Sequence, residues 1–472
     1  MSSVASNETR GALYEELPPL HNLPLEVLQD IFVASSTPLA SNWEKDPQEL
    51  VPCLDLGGLK LGHICKAWRV VTRSMPEIFS SITIYHPTEK TVEAVKLYLE
   101  LSGPNFPLNL ALEQHLGMNK SYLDRNGMQG IVNERLCTLD IIDLWIAHAE
   151  RWKKIQFNIV GGTIPQLANI EPSRLRNLEE ASLELGWPKA DIQKLWDTIH
   201  TSPALRFVMW HKDLPPRVPP SAPLSQLTSI GINFEVTTDM LLTCLSSAPQ
   251  VRKVLVFRLK ASPKSSSNTS ASNHRITLRY LDNVCIGDSE SLNPLLNRLT
   301  TPSLAHMLIR ESKPEARSAL VDLFTRSRCQ MKELHLDYSE ITEDGFIKII
   351  TSLSPFLTSL EKLSFRVFSN NAFLTEKTLF KLTPSFDRNG RPIGNSFMFP
   401  KVYDFFVGSC KISQLDIATM IIARKRAGIP FCALSLHLNN PKPRVNEWGS
   451  SLTLVVEMWV YVETQKLEAI ED

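Results

Sequence analysis

The sequence predicts a mixed α/β chain, with a small helical module at the N-terminus and a curved strand–helix solenoid behind it. Two amphipathic blocks near the start predict the module. A short apolar register that returns at near-constant spacing predicts the solenoid, and helix-like stretches between its occurrences supply the alternation. The alternative is an ordinary α/β fold in which strands and helices happen to alternate. The near-constant period and shared register favour the solenoid.

Composition sets the outer bounds. The 472 residues are 43% apolar and 21% charged, which is ordinary globular usage and length enough for about three average domains. Lys+Arg and Asp+Glu both total 50, so a formal net charge of zero gives no electrostatic case for nucleic acid or an anionic membrane. The eight cysteines are scattered without a CxxC, which is neither a disulfide framework nor a zinc pattern. They read as small, mostly buried hydrophobes in a reducing compartment. The stretch MSSVASNETR is polar and has no signal-peptide core. Leu452 to Val462 is interrupted by Glu457 and is too short to span a bilayer. The expectation is a soluble protein of the cytoplasm or nucleus, without cofactor or metal.

Residues 1–17 read as disordered, and 18–82 as the helical module. Pro24 suits the first turn of a helix, where its missing N–H is not needed. Leu28, Ile31 and Phe32 then recur at three- and four-residue spacing, on one expected face. A second face follows from Leu61, Ile64, Cys65 and Trp68. Between the blocks, residues 35–58 hold Pro38, Pro47, Pro52 and the Gly57-Gly58 pair, and read as a long loop. Such an insertion costs little entropy per added residue. Taken alone, the blocks fit two amphipathic helices of any small helical domain.

The order Leu23-Pro24, Ile31-Phe32, Cys65-x-x-Trp68-Arg69, then Met75-Pro76-Glu77-Ile78-Phe79 is more restrictive. It resembles the F-box, a helical module that docks a protein onto a ubiquitin-ligase scaffold. The long loop departs from the usual F-box, whose first two helices lie a few residues apart.

A connector follows over 83–150. Ile82 to Tyr85 can form a strand. Thr88 can cap a helix carrying Val92, Val95, Leu97, Tyr98 and Leu99, which Gly103-Pro104 stops. Pro107 to Leu112 reads as a strand, and Leu139 to Glu150 as a helix leading into Trp152.

The solenoid is expected over 151–440, with 441–472 as a cap. Its register is apolar, two variable residues, apolar, one variable, apolar. It occurs as Trp152/Ile155/Phe157, Leu178/Ala181/Leu183, Leu205/Val208/Trp210, Leu227/Ile230/Ile232 and Val251/Val254/Val256. It returns as Leu304/Met307/Ile309, Met331/Leu334/Leu336, Leu360/Leu363/Phe365 and Phe431/Leu434/Leu436. First positions are spaced 26, 27, 22, 24, 53, 27, 29 and 71 residues apart. The gap of 53 has room for one strand, expected at Ile276/Leu278. The gap of 71 has room for one or two units around Val402 to Val407. Helices are expected at about Thr238–Ser246 and Glu343–Leu353. The period is similar to that of leucine-rich repeats, although the Asn that usually caps the turn after the strand is absent. With the N-terminal block, the whole resembles mushroom-type fungal F-box-like proteins with a leucine-rich-repeat-like body.

Pro215 to Pro223 reads as a proline-rich loop and Ser262 to Asn273 as a serine-rich one, both exposed and mobile. No Gly-rich phosphate loop, HExxH, GxSxG or kinase signature occurs, so the chain is not expected to be an enzyme.

The resemblance implies the substrate-recognition subunit of a cullin-type (SCF) ubiquitin ligase. Leu23, Pro24, Leu28, Ile31, Phe32, Leu61, Ile64, Cys65 and Trp68 would bind the Skp adaptor or form the module's own core, and the cullin scaffold would follow through the adaptor. A target protein would dock on variable strand positions, with Lys253, Phe257, Arg310, His335, Asp337 and Arg366 as candidates. The alternatives are a protein-binding scaffold independent of the ligase and an enzyme with an unrecognised site.

Overall fold

A computed structural model describes residues 23–36, 53–54, 57–114, 120–159, 162–212, 214, 217–261, 275–311, 317–338, 341–367, 375–389, 393, 404–410, 414–428 and 433–438. The expected disordered start (1–17), the serine-rich loop over 262–273 and the cap over 441–472 lie outside the described residues. The chain divides into two compact units, Met1–Val160 and Gly161–Asp472.

The first unit opens with α1 (Leu25–Ser36), β1 (Cys53–Leu54), α2 (Gly57–Ile64), α3 (Lys66–Arg73) and α4 (Pro76–Phe79). It continues with β2 (Ser81–Tyr85), α5 (Glu89–Leu101), β3 (Leu108–Glu113), α6 (Lys120–Ile146) and β4 (Trp152–Ile159). Two features correct the loop expected over 35–58. A short strand, β1, pairs antiparallel with β2 through Cys53 and Leu54. The Gly57-Gly58 pair opens a helix instead of breaking one. A Cβ on Gly58 would stand 2.5 Å from Ile78 Cγ2 and 3.0 Å from the Phe79 ring, so the missing side chain is what lets α2 approach α4. Helix α5 starts as expected: Thr88 and Thr91 exchange side-chain and backbone bonds in a capping box. Helix α6 begins at Lys120, well before the expected Leu139.

Strands β2, β3 and β4 pair in parallel, with Ile82, Leu110 and Ile155 side by side and Ile84, Leu112 and Phe157 beside them. All six are buried. The register expected to begin at residue 151 therefore already runs through the connector, and β4 belongs to this unit.

The second unit holds α7 (Pro165–Ala168), β5 (Glu180–Leu185), α8 (Lys189–Ile199), β6 (Phe207–His211), β7 (Ser229–Thr237), α9 (Thr238–Ser246) and β8 (Lys253–Lys260). Next come β9 (Ile276–Thr277), β10 (Asn283–Ser289), α10 (Asn293–Leu296), β11 (Leu299–Thr300), β12 (His306–Glu311), α11 (Arg317–Ser327) and β13 (Glu333–Tyr338). The last elements are α12 (Glu343–Leu353), β14 (Lys362–Val367), α13 (Glu376–Leu382), β15 (Asp404–Cys410), α14 (Gln414–Arg426) and β16 (Ala433–Leu438). Helices α9 and α12 match the expected ranges, each opened by a threonine, Thr237 or Thr342, that accepts from a first-turn N–H.

Ten strands of this unit pair in parallel in the order β5-β6-β7-β8-β10-β12-β13-β14-β15-β16. The fourth position of each register meets the fourth of the next: Ala181, Val208, Ile230, Val254, Val284, Met307, Leu334, Leu363, Phe405 and Leu434. No single strand can bury its own apolar side. Stacking neighbours makes the core continuous, as a mixed α/β repeat requires.

The gap of 53 is filled one strand away from the expected place. Ile276 belongs to β9, which pairs only with β11. The strand in the main sheet is β10, with buried Leu281, Val284 and Ile286 in the shared register. Among the described residues of the gap of 71, one strand, β15, joins the main sheet.

Within the described part of the proline-rich loop, residues 217–223, Ser221 is tied to the helix before it. Ser221 donates to Asp197 Oδ1 at 2.5 Å and sits 2.8 Å from His200 Nδ1, and Trp210 Nε1 donates to His200 Nε2 at 3.3 Å. His200 must then be neutral, with its proton on Nδ1. Burial holds its pKa down at about 4 against the opposing pull of Asp197.

Candidate functional site

Two surfaces collect the residues singled out from sequence, one in each unit. In the helical module the nine candidates separate by burial. Leu28 and Phe32 point inward, and Phe32 packs its ring 4.7 Å from that of Trp68. Leu23, Leu61 and Trp68 are half-buried, and Pro24 is exposed, with its carbonyl accepting from Leu28 N–H. Ile31 does not share the inner face with Leu28 and Phe32: it is 41% exposed, and Ile64 is 61% exposed.

The second expected face is also interrupted. Helix α2 stops at Ile64, and Cys65 is the N-cap of α3, its Sγ accepting from Trp68 N–H at 3.4 Å. An extended cap residue breaks the helical spacing, so Leu61 and Trp68 belong to separate helices. Arg69 Nε closes the corner on the Gly62 carbonyl at 2.9 Å.

Leu25, Val27, Val33 and Val70 are exposed as well, and none was among the candidates. The signal was available. LEVLQDIFVASS carries apolar residues at 25, 27, 28, 31, 32 and 33, more than one buried stripe can use. Val27 and Ile31 lie on one flank of the buried Leu28/Phe32 stripe and Val33 on the other, with Glu26 and Asp30 on the side away from it.

The sheet face of the second unit presents the residues between the buried anchors. One row pairs Lys253, Asn283, His306, Glu333 and Lys362 in turn. Glu333 takes Lys362 at 3.0 Å and His306 at 3.4 Å, with His335 at 4.0 Å. Burial alone would raise its carboxyl, but hydrogen bonds from Lys362 and His306 outweigh that and hold it below the ordinary range. The next row pairs Gly231, Leu255, Cys285, Leu308, His335 and Ser364. Burial pushes the Cys285 thiol up to about 11, which leaves it inert as a nucleophile.

The six target-binding candidates fare differently. Lys253, Phe257 and Arg310 are exposed and His335 is half-exposed. Asp337 is 4% exposed, with Arg310 lying over its carboxylate at 3.5 Å, so it is buried within the face rather than offered on it. Arg366 lies in β14 opposite Asp337, and its side chain is outside what is described.

Sequence reading missed one cluster on the same sheet. Ser182 Oγ is 3.1 Å from His211 Nε2, and His211 Nδ1 is 3.3 Å from Glu184 Oε2 and 3.0 Å from Asn233 Nδ2. Hydrogen bonding to His211, with Lys212 assisting against burial, holds Glu184 at about 2. This is the connectivity of an acyl-transfer triad. Strand amides point sideways into the ladder, in the plane of the sheet, and none can aim at an oxyanion standing above Ser182. The cluster is a polar contact between β5, β6 and β7. Among the described residues no three His, Cys, Asp or Glu side chains converge to hold a metal, and no helix is long and apolar enough to cross a membrane.

No protein-family profile matches the chain, and no curated protein resembles it significantly. Among solved structures it is similar to an internalin from Listeria monocytogenes, at 15% identity over 74% of this chain and 88% of that one, with a TM-score of 0.31. That score is too low to bear on function, and the mixed α/β assignment rests on the parallel ladders themselves.

Proposed function

We propose that the chain is the substrate-recognition subunit of a cullin-type ubiquitin ligase, acting in the cytoplasm or nucleus. The helical module binds the Skp adaptor, and the sheet face of the second unit holds a target protein. The observation that carries this reading is the number of exposed apolar side chains in the module: Leu25, Val27, Ile31, Ile64 and Val70 stay exposed while Leu28 and Phe32 are buried. The order of motifs from Leu23 to Phe79 supplies the kind of partner. Such a subunit does no covalent chemistry. It raises the local concentration of a target beside a charged conjugating enzyme.

Co-purification tests the reading. Tagged full-length chain should bring down the Skp adaptor together with a cullin. Ile31→Asp with Ile64→Asp should abolish both while leaving circular dichroism unchanged, because neither side chain belongs to the core. Recovery of the adaptor without a cullin would favour a ligase-independent scaffold. Undiminished adaptor binding by the double variant would remove the docking assignment.

A further inference from the structure

We infer that β8 is the centre of the target-binding face and that it takes an acidic segment of a protein partner carrying a large apolar side chain. The inference rests on the reading of this sheet as a docking surface and adds the chemistry of what docks. Strand β8 reads KVLVFRLK, with Lys253, Arg258 and Lys260 and no acidic residue. Val254, Val256 and Leu259 are buried, which leaves Lys253, Phe257 and Arg258 exposed and Leu255 half-buried.

The strands on either side place glycines beside this row, and the Met209 side chain of β6 reaches over Gly231. Gly231 on β7 stands opposite Leu255, and Gly287 on β10 lies beside Phe257. Gly287 has no freedom to be anything larger, because a Cβ there would strike the Phe257 carbonyl oxygen. The register of β10 against β12 shifts at this residue, between Ile286 and Asp288. Phe257 is 47% exposed, at the point of β8 where the register against β7 shifts between the Val256 and Arg258 pairings. An exposed aromatic flanked by arginine is the composition of an interface hot spot.

Charge sets the partner's sign. Lys253 faces Ser229 and Asn283 across the ladder rather than a carboxylate. Arg258 meets Asp288 only at 3.6 Å, with both side chains more than half exposed. Exposed pairs of this kind hold their members weakly, so a partner's carboxylate can compete for Arg258. Glu235 already holds Lys260 at 2.7 Å, so the positive charge offered to a partner is that of Lys253 and Arg258, which suits a peptide with one or two carboxylates more than a continuous polyphosphate.

Selection of phage-displayed random dodecapeptides on the immobilised full-length chain tests this, with the winning peptide synthesised and titrated by fluorescence anisotropy. Winners should combine Asp or Glu with Leu, Phe, Tyr, Trp or Met. Phe257→Ala should weaken the winner at least roughly ten-fold, as loss of a hot-spot aromatic does. Lys253→Glu with Arg258→Glu should abolish binding at unchanged circular dichroism. Neutral or basic winners, no winners, or a winner indifferent to Phe257→Ala would overturn the inference. So would displacement of the winner by a dT oligonucleotide. Adaptor co-purification with Phe257→Ala runs beside it: intact adaptor binding with failed selection sinks only this inference, and the reverse sinks only the ligase reading.

Discussion

Lowering the pH from 7 to 5 should destabilise the second unit through one side chain, His200. It is 6% exposed and sits between Trp196 and Trp210, with ring centroids 5.3 and 6.1 Å away. Its Nε2 accepts from Trp210, so a proton added there would face another N–H. Burial depresses its pKa from 6.5 to about 4. The unfolded chain therefore binds a proton below pH 6.5 that the folded chain refuses until about pH 4. Stability is intact above 6.5, falls as pH drops through this window, and levels below it. At ~1.4 kcal/mol per pH unit inside the window, the loss is about 2 kcal/mol at pH 5 and about 3 kcal/mol by pH 4. Glu184 titrates lower, between 4.5 and about 2, so it contributes little to the change above pH 5. Urea unfolding followed by tryptophan fluorescence at pH 7 and pH 5 measures the loss. His200→Gln should be less stable at pH 7, and its loss between the two pH values should be smaller than the native one by about 2 kcal/mol. Equal losses in the two proteins would refute the assignment of a buried neutral histidine.

Three further outcomes follow from the geometry. Gly287→Ala should destabilise by ~2 kcal/mol or more, since the obstacle is the Phe257 backbone and cannot rotate away; thermal unfolding measures it. Glu343 ties α12 to the start of α13 by accepting from Thr375 N–H, Thr375 Oγ1 and Thr378 Oγ1 at 2.7 to 2.8 Å. Those bonds outweigh burial and lower its pKa, so Glu343→Gln should cost about 1 kcal/mol at pH 7 and progressively less as pH falls below 4.5, read as a difference in urea midpoints. Ser182 should resist a fluorophosphonate probe at any concentration that spares other surface serines, and selective labelling in a mass-spectrometric digest would show that an oxyanion site exists after all.

What could be read from the sequence follows from what is periodic. The buried anchors recur because every strand faces the same core, so Ile230, Val254, Met307 and Leu334 announce themselves without a structure. Strand β10 escaped because Leu281, Val284 and Ile286 share their stretch with Cys285 and the Gly287 shift, while nearby Ile276 and Leu278 offer a cleaner alternation. The break between α2 and α3 escaped for a different reason. Leu61, Ile64, Cys65 and Trp68 fit one continuous helix by spacing alone, and a cysteine acting as N-cap carries no signature of its kind. The chain from Trp210 to Asp197 was out of reach, because it joins a helix end, a strand and a loop through contacts that no local pattern encodes.

The two candidate surfaces differ in the force they offer a partner. Around α1, α2 and α3 the exposed side chains include Ile31, Ile64 and Val70 among Glu26, Asp30, Lys60 and His63, and the aliphatic ones contribute chiefly the burial of apolar area. That force is non-directional, which suits one invariant partner whose shape does the selecting. On the second unit the exposed rows are laced with ion pairs, Glu333 with Lys362 and Arg310 with Asp337, and each would have to be broken or matched by an arriving surface. Charged rows of this kind discriminate between partners more than they add affinity. At β8 a large aromatic, Phe257, stands exposed beside Arg258. On the proposed reading the two surfaces divide the work, the more apolar one serving a constant assembly and the polar, discriminating one the variable cargo.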